Sequence, residues 1–252
     1  MNRSLLASAA AAALSMSFAA YADVKLPAVI SDNMVLQQDK PLPIWGWADP
    51  GEEVTVTLEG QKKQTKADDK GKWMVKLDAI KAGTGDAAKA LEMTVAGKNT
   101  ITVKNILAGE VWVCSGQSNM EWRMAQSHNA SVEAPKAKND KIRFFNVAKA
   151  TSFTPVNDVK GKWEESTPET VLGTTAVGYF FGRDIHKALN QPVGLIHTSW
   201  GGTPAQAWTT VEGLKTEPSL ESYVTQATQT AANIEKLRED YKTKALPKWE
   251  AD

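Results

Sequence analysis

One cysteine, Cys114, stands among 252 residues, and histidine occurs only three times. A lone cysteine cannot close an internal disulfide, so packing has to hold the fold together. Neither charge is in excess, with 29 basic against 29 acidic side chains. That balance argues against a nucleic-acid groove or an anionic membrane as the main partner. No His/Cys/Asp cluster has metal-ligand spacing, and no glycine-rich phosphate loop follows a strand, so neither a metal nor a cofactor is expected. There is no internal repeat. What the chain does have is an apolar fraction of 42%, enough for one large core or two smaller ones.

The first 22 residues read as an export signal rather than as part of the fold. Arg3 is followed by an apolar stretch from Leu5 to about Phe18, which ends at Ala20-Tyr21-Ala22, a small-x-small cleavage site. The stretch is short and alanine-rich for a bilayer span. The expectation is a mature chain starting at Asp23, exported to a periplasm or secreted.

From 23 to 107 the hydrophobic period is two. Val54, Val56 and Leu58 alternate with Thr55, Thr57 and Glu59, and Trp73, Val75 and Leu77 alternate with lysines and methionine. Turn chemistry in "ADPGEE" and "DDKGK" separates the runs. These features predict a small antiparallel β-sandwich domain. From 108 onward the texture is α/β. "EVWVC" and "PVGLIHTSW" read as buried strands of a parallel sheet. Between them runs a helical stripe through Val177, Phe180, Phe181, Ile185, Ala188 and Leu189. A later amphipathic helix is expected to bury Tyr223, Ala227, Ala231, Ile234, Leu237 and Tyr241.

"VCSGQSNMEW" places Ser118 just after a strand, where a helix could begin near Asn119. At such a position a serine has its own N–H available to a developing oxyanion. The competing reading is that Ser115 and Ser118 only cap a helix, which spacing alone favours. The G-x-S-x-G nucleophile elbow is not met, because Met120 takes the last glycine position.

"GEVWVCSGQSNMEW" together with "PVGLIHTSWGGTPAQAW" closely resembles the sialate O-acetylesterase family, whose catalytic domain is of the SGNH-hydrolase type. "LPAVISDNMVLQQDKPLPIWGWADPGEEVTV" resembles the β-domain that precedes it. The resemblance spans roughly 24–208. It implies an α/β, SGNH-like fold after the β-sandwich, acting on an O-acetylated sugar or glycan with Ser118 as nucleophile. The implied oxyanion donors are the Ser118 N–H and that of Gly201 or Gly202. Gln117 and Asn119 would hold the loop or touch substrate, and Trp122 and Trp200 could stack on a sugar ring or simply pack.

The family's base comes from an Asp-x-His segment far downstream, which these residues do not contain, so the expectation is a truncated, weakly active or inactive chain. Of the three histidines, His186 reads as an exposed helix residue, His197 as a buried hydrogen-bonded strand residue, and His128 as solvated. Asp184 falls in the apolar stripe and is expected to be buried and bonded to backbone N–H groups or to a basic partner such as Arg123 or Arg143. Cys114 reads as a packing residue. Two other functions stay open, a non-catalytic carbohydrate-binding protein and an acetylxylan-type esterase. Oligomeric state is not legible.

Overall fold

A computed structural model describes residues 23–152 and 154–251. The export signal expected over 1–22 lies outside the described residues.

Ten strands, β1 Val35–Gln37, β2 Leu42–Trp47, β3 Glu53–Leu58, β4 Gln61–Lys66, β5 Lys72–Leu77, β6 Leu91–Ala96, β7 Thr100–Gly116, β8 Asn139–Asn146, β9 Trp163–Ser166 and β10 Val193–Ser199, form two sheets. The larger has the order β4-β3-β6-β7-β10-β8-β9, with β1 also on β7, and the smaller pairs β2 with β5. The period-two segments behave as the pleat dictates. In β3, Val54, Val56 and Leu58 are at most 1% exposed, and in β5 Trp73, Val75 and Leu77 face the same core.

The strands do not stop at residue 107. β7 is one strand of 17 residues. Its first half pairs antiparallel with β6, and Glu110–Gly116 pairs parallel with β10. The antiparallel strands and the parallel strands are therefore joined through a shared strand into one mixed sheet. β10 also lies parallel to β8.

Ile142–Phe145 of β8 are all buried, as expected for a strand covered on both faces. Adjacent side chains there enter different cores. Phe145 packs with the residues of 24–107 and with Trp163, while Phe144 packs with Cys114, Met124, Tyr179, Val193 and Leu195. Cys114 is a buried packing residue, as its alternation implied.

Three helices matter for the site: the single turn α1, Ser118–Glu121, then α2, Ala176–Leu189, and α3, Glu221–Asp240. The Thr175 hydroxyl caps α2 by accepting the Gly178 N–H, and Asn190 ends it in the left-handed region at φ 54°. The face of α2 that meets the sheet differs from the expected stripe. Ala176, Tyr179 and Gly182 are buried, whereas Val177, Phe181 and Leu189 are exposed. The reason is close approach. A Cβ on Gly182 would lie 2.7 Å from Leu195 Cδ1, so the small residues, not the large ones, face the strand.

That rotation also corrects Asp184. Its carboxylate is exposed and pairs with its neighbour Arg183 at 2.9 Å, not with Arg123 or Arg143. "EVWVC" is likewise only partly covered, since Trp112 on one face and Val113 on the other are both exposed. Trp112 instead meets Phe181 edge to face, with centroids 5.0 Å apart. In α3 the buried residue is Val224, while Tyr223 and Leu237, and Tyr241 just beyond its end, are exposed, so the apolar face expected there is only partly covered.

Candidate active site

Ser118 opens α1 directly beyond the carboxyl end of β7, with Gln117 as the capping position and no side-chain cap bond. Ser115 donates to the Thr198 carbonyl at 3.3 Å. Neither serine is therefore the helix cap that spacing alone favoured. Ser118 is exposed. α1 rests on the start of α2: the Ala176 N–H donates to the Trp122 carbonyl at 2.8 Å, and the Thr175 hydroxyl contacts Met120 Sδ at 3.4 Å.

Opposite α1 stands the loop after β10. The parallel register puts Ser199 beside Gly116, and the Trp200 N–H donates to the Gly116 carbonyl at 3.0 Å. Gln117 Nε2 donates to the Thr203 carbonyl at 2.7 Å, so it ties the two loops together. The Thr203 hydroxyl donates to the Trp200 carbonyl at 2.6 Å and accepts the Trp208 indole N–H at 2.7 Å. This brings Gly201 against the serine. A Cβ placed on Gly201 would lie in ordinary contact, 3.5 Å, with both Ser118 Cα and Ser118 Oγ, and would crowd Glu121 Oε2 at 2.8 Å. Gly202 follows in the left-handed region at φ 76° with open space beside it.

Glu121 was not singled out by the sequence. One carboxylate oxygen accepts the Gly201 N–H and the other pairs with Lys149 Nζ. Lys149, foremost, and then the Gly201 amide hold the Glu121 carboxyl below the usual carboxylate range. The same Lys149 ammonium lies 5.2 Å over the Trp200 ring, so Trp200 carries a cation on its face. Trp122 is exposed beside Ser118, and Asn119 is exposed on α1.

The three histidines sit apart from the Ser118 hydroxyl in bonding terms. Among the described residues none donates to or accepts from Ser118 Oγ. His186, expected to be an exposed helix residue, is partly buried and its Nδ1 lies 2.6 Å from the Gln191 carbonyl. His128 is exposed. His197 is held in the sheet, Nδ1 3.1 Å from Asn146 Oδ1 and Nε2 2.6 Å from Ser199 Oγ. Burial, above all, lowers its imidazole pKa.

Two cavities flank the Gly201 loop. One, of about 550 Å³, is lined by Ser118, Glu121, Trp122, Arg123 and Gly201. The other, of about 500 Å³, is lined by Lys149, Ser199, Trp200, Thr203 and Trp208 among others. Among the described residues no group of three His, Cys, Asp or Glu side chains could hold a metal ion. No helix among them is long and apolar enough to cross a membrane.

A mixed sheet with flanking helices, carrying an exposed serine at the strand end beside a glycine loop, is an α/β arrangement consistent with the SGNH-hydrolase type. Residues 108–247, more than half of the chain, match the family model "SASA: Carbohydrate esterase, sialic acid-specific acetylesterase", and the chain belongs to that family. Human sialate O-acetylesterase is 36% identical over 203 residues, 74% of this chain and 39% of its own length. The mouse protein of the same name is 37% identical over 204 residues. The crystal structure of a carbohydrate acetylesterase from Xanthomonas citri superposes with a TM-score of 0.71 at 34% identity, covering 75% of this chain and 43% of that one. The chain thus spans about two fifths of the length of these relatives.

Proposed function

We propose that this chain is the nucleophile-bearing part of a carbohydrate O-acetylesterase of the sialate type. Ser118 Oγ attacks the acetyl carbonyl, and the sugar leaves as the alcohol. The single observation behind this reading is the approach of Ser118 to Gly201 across two loops of a family member. Ser118 contributes its own N–H to the oxyanion, and the Gly202 amide supplies the second donor, because the Gly201 N–H expected for that role is held by the Glu121 carboxylate. Losing one such donor costs about 2.7–4 kcal/mol of barrier. Gln117 fixes the spacing of the two loops through Thr203. Trp122 and Asn119 border the sugar beside Ser118, whereas Trp200, expected there too, lines the cavity across the Gly201 loop.

Ser118 has no imidazole partner among the described residues, so its deacetylation is slow in this chain alone. The division into a β-sandwich over 23–107 and an esterase part over 108–252, two parts that share strand β7, belongs to the same reading, as does export by cleavage after Ala22. So does a sugar, rather than nucleic acid or membrane, as partner. Acetate release from an O-acetylated sialic acid tests the reading. It is expected to be slow in the native chain and to fall to the uncatalysed rate in Ser118→Ala, a smaller loss than in a complete triad because groups that act as a unit are not additive. Release unchanged by the substitution overturns it.

A further inference from the structure

We propose that Ser199 is a second nucleophile of this chain, activated by His197, which accepts acyl groups from small acyl esters in the cavity between the segment after β8 and the loop after β10. His197 and Ser199 are two residues apart on β10, so their side chains share a face. His197 Nε2 lies 2.6 Å from Ser199 Oγ. Asn146 stands opposite His197 in the register with β8, and its Oδ1 is 3.1 Å from Nδ1.

The tautomer follows from what Asn146 offers. Its Oδ1 also accepts the Thr174 hydroxyl at 3.0 Å, and a carbonyl oxygen can only accept. Nδ1 therefore carries the proton and the Nε2 lone pair meets the Ser199 hydroxyl, while the Met120 backbone favours the imidazolium that forms when Nε2 takes that proton. Hydroxyl, imidazole and orienting amide thus form the nucleophile–base–orienter relation that hydrolases on unrelated folds share. Burial keeps the ring in its neutral, basic form. The charged groups that act on it are Glu121 from α1, Arg123 beyond it, and Lys149 after β8.

The surroundings suit a small ester. Ser199 lines a cavity of about 500 Å³ together with Lys149, Ser152, Trp200, Thr203 and Trp208. The indoles offer apolar surface to the alcohol part, and the Lys149 ammonium puts positive charge on the same wall. Ser118 borders a different cavity, on the Glu121 and Trp122 side of the Gly201 loop.

The step closes without an external reagent other than water. The Ser199 proton passes to Nε2 as Oγ bonds to the acyl carbon. The ester C–O bond then breaks, and the departing alkoxide takes the proton from Nε2. Water attacks the acyl-serine by the same route, releasing the acid and restoring the Ser199 hydroxyl.

The test removes Ser118 first. A Ser118→Ala chain treated with an alkyl fluorophosphonate is expected to carry the adduct on Ser199, located by peptide mapping. Adding His197→Gln is expected to slow that labelling by about 10²–10⁴-fold, the usual contribution of a positioned base. A folded Ser118→Ala chain with Ser199 unmodified overturns the proposal. Should His197→Gln fail to fold, Ser118→Ala combined with Ser199→Cys gives a second measurement. The introduced thiol is expected to reach its full rate of alkylation by iodoacetamide below the ordinary thiol pKa of about 8.5, because the imidazole stabilises the thiolate. A rate profile following an ordinary thiol overturns the proposal. Cys114 does not interfere, since burial pushes its thiol up to about 11. Labelling of Ser118 in the unsubstituted chain reports on the O-acetylesterase reading alone, so the two ideas fail separately.

Discussion

Because Glu121 follows Ser118 by three residues on one helical turn, its carboxylate can reach the Gly201 amide with one oxygen and the Lys149 ammonium with the other. It thereby joins the nucleophile turn to the glycine loop and to the segment after β8. The Glu121 carboxyl titrates below its ordinary 4.5 in the folded chain. For a depressed carboxylate the stabilisation is present above the unfolded pKa and is lost as pH falls through the folded one. The melting temperature of the native chain should therefore exceed that of Glu121→Gln at pH 6, and the gap should close as pH drops through 4.5 and below. Thermal melts across that range decide it, and a gap independent of pH would show that the contact is not ionic. Of the site, Ser118 and the glycine pair were readable as sequence because they sit in one motif each. Glu121 lay inside the quoted motif without a signal of its own. Lys149, Asn146 and the Ser199–His197 contact depend on which strands become neighbours, and no local pattern carries that information.

At the scale of elements, Arg143 shows what ties β8 to the rest. Its guanidinium is 1% exposed, and donates to the Asn33 and Asn105 carbonyls, to Asn105 Oδ1 at 3.0 Å and to the Asp140 carbonyl at 3.1 Å. Glu165 on β9 adds a longer ion pair at 3.8 Å. Replacing Arg143 by Met keeps the apolar stem but strands the part-buried carbonyls of Asn33 and Asn105. The expected loss is about 3 kcal/mol, within the range for breaking a buried charged network. For a chain of this size that is a fall of roughly 6–12 °C in melting temperature, measurable by circular dichroism. Sequence periodicity found the existence of β3, β5, β7, β10 and α2, because each is long or regular enough to show its period. It misplaced the buried face of α2, since Gly182 invites close approach to Leu195 and counts as nothing in a hydrophobicity pattern. Asp184 moved to the surface with that rotation.

Across the whole molecule, the boundary expected at 107 and 108 falls inside a continuous strand, and the cores do not respect it either. The core built from 24–107 also contains Phe145 and Trp163, and the Trp163 indole donates to the Val29 carbonyl at 2.8 Å. The rings of Phe145 and Trp163 pack with centroids 5.5 Å apart. Two buried aromatics of this kind are worth about 3–5 kcal/mol each when truncated to alanine. That sum is comparable to the entire stability of many domains, about 5–15 kcal/mol. A fragment of 23–107 would lose both rings and leave the Ile106 and Leu107 end of β7 without its continuation. It is therefore expected to lack a cooperative thermal transition, whereas the 23–252 chain should show the β-rich part melting together with the helices. Far-ultraviolet circular dichroism of the fragment, against tryptophan fluorescence of the longer chain, separates the outcomes. A sharp melt of the isolated fragment would mean that β7 merely passes between two self-sufficient units, and that Trp163 decorates the first core instead of completing it.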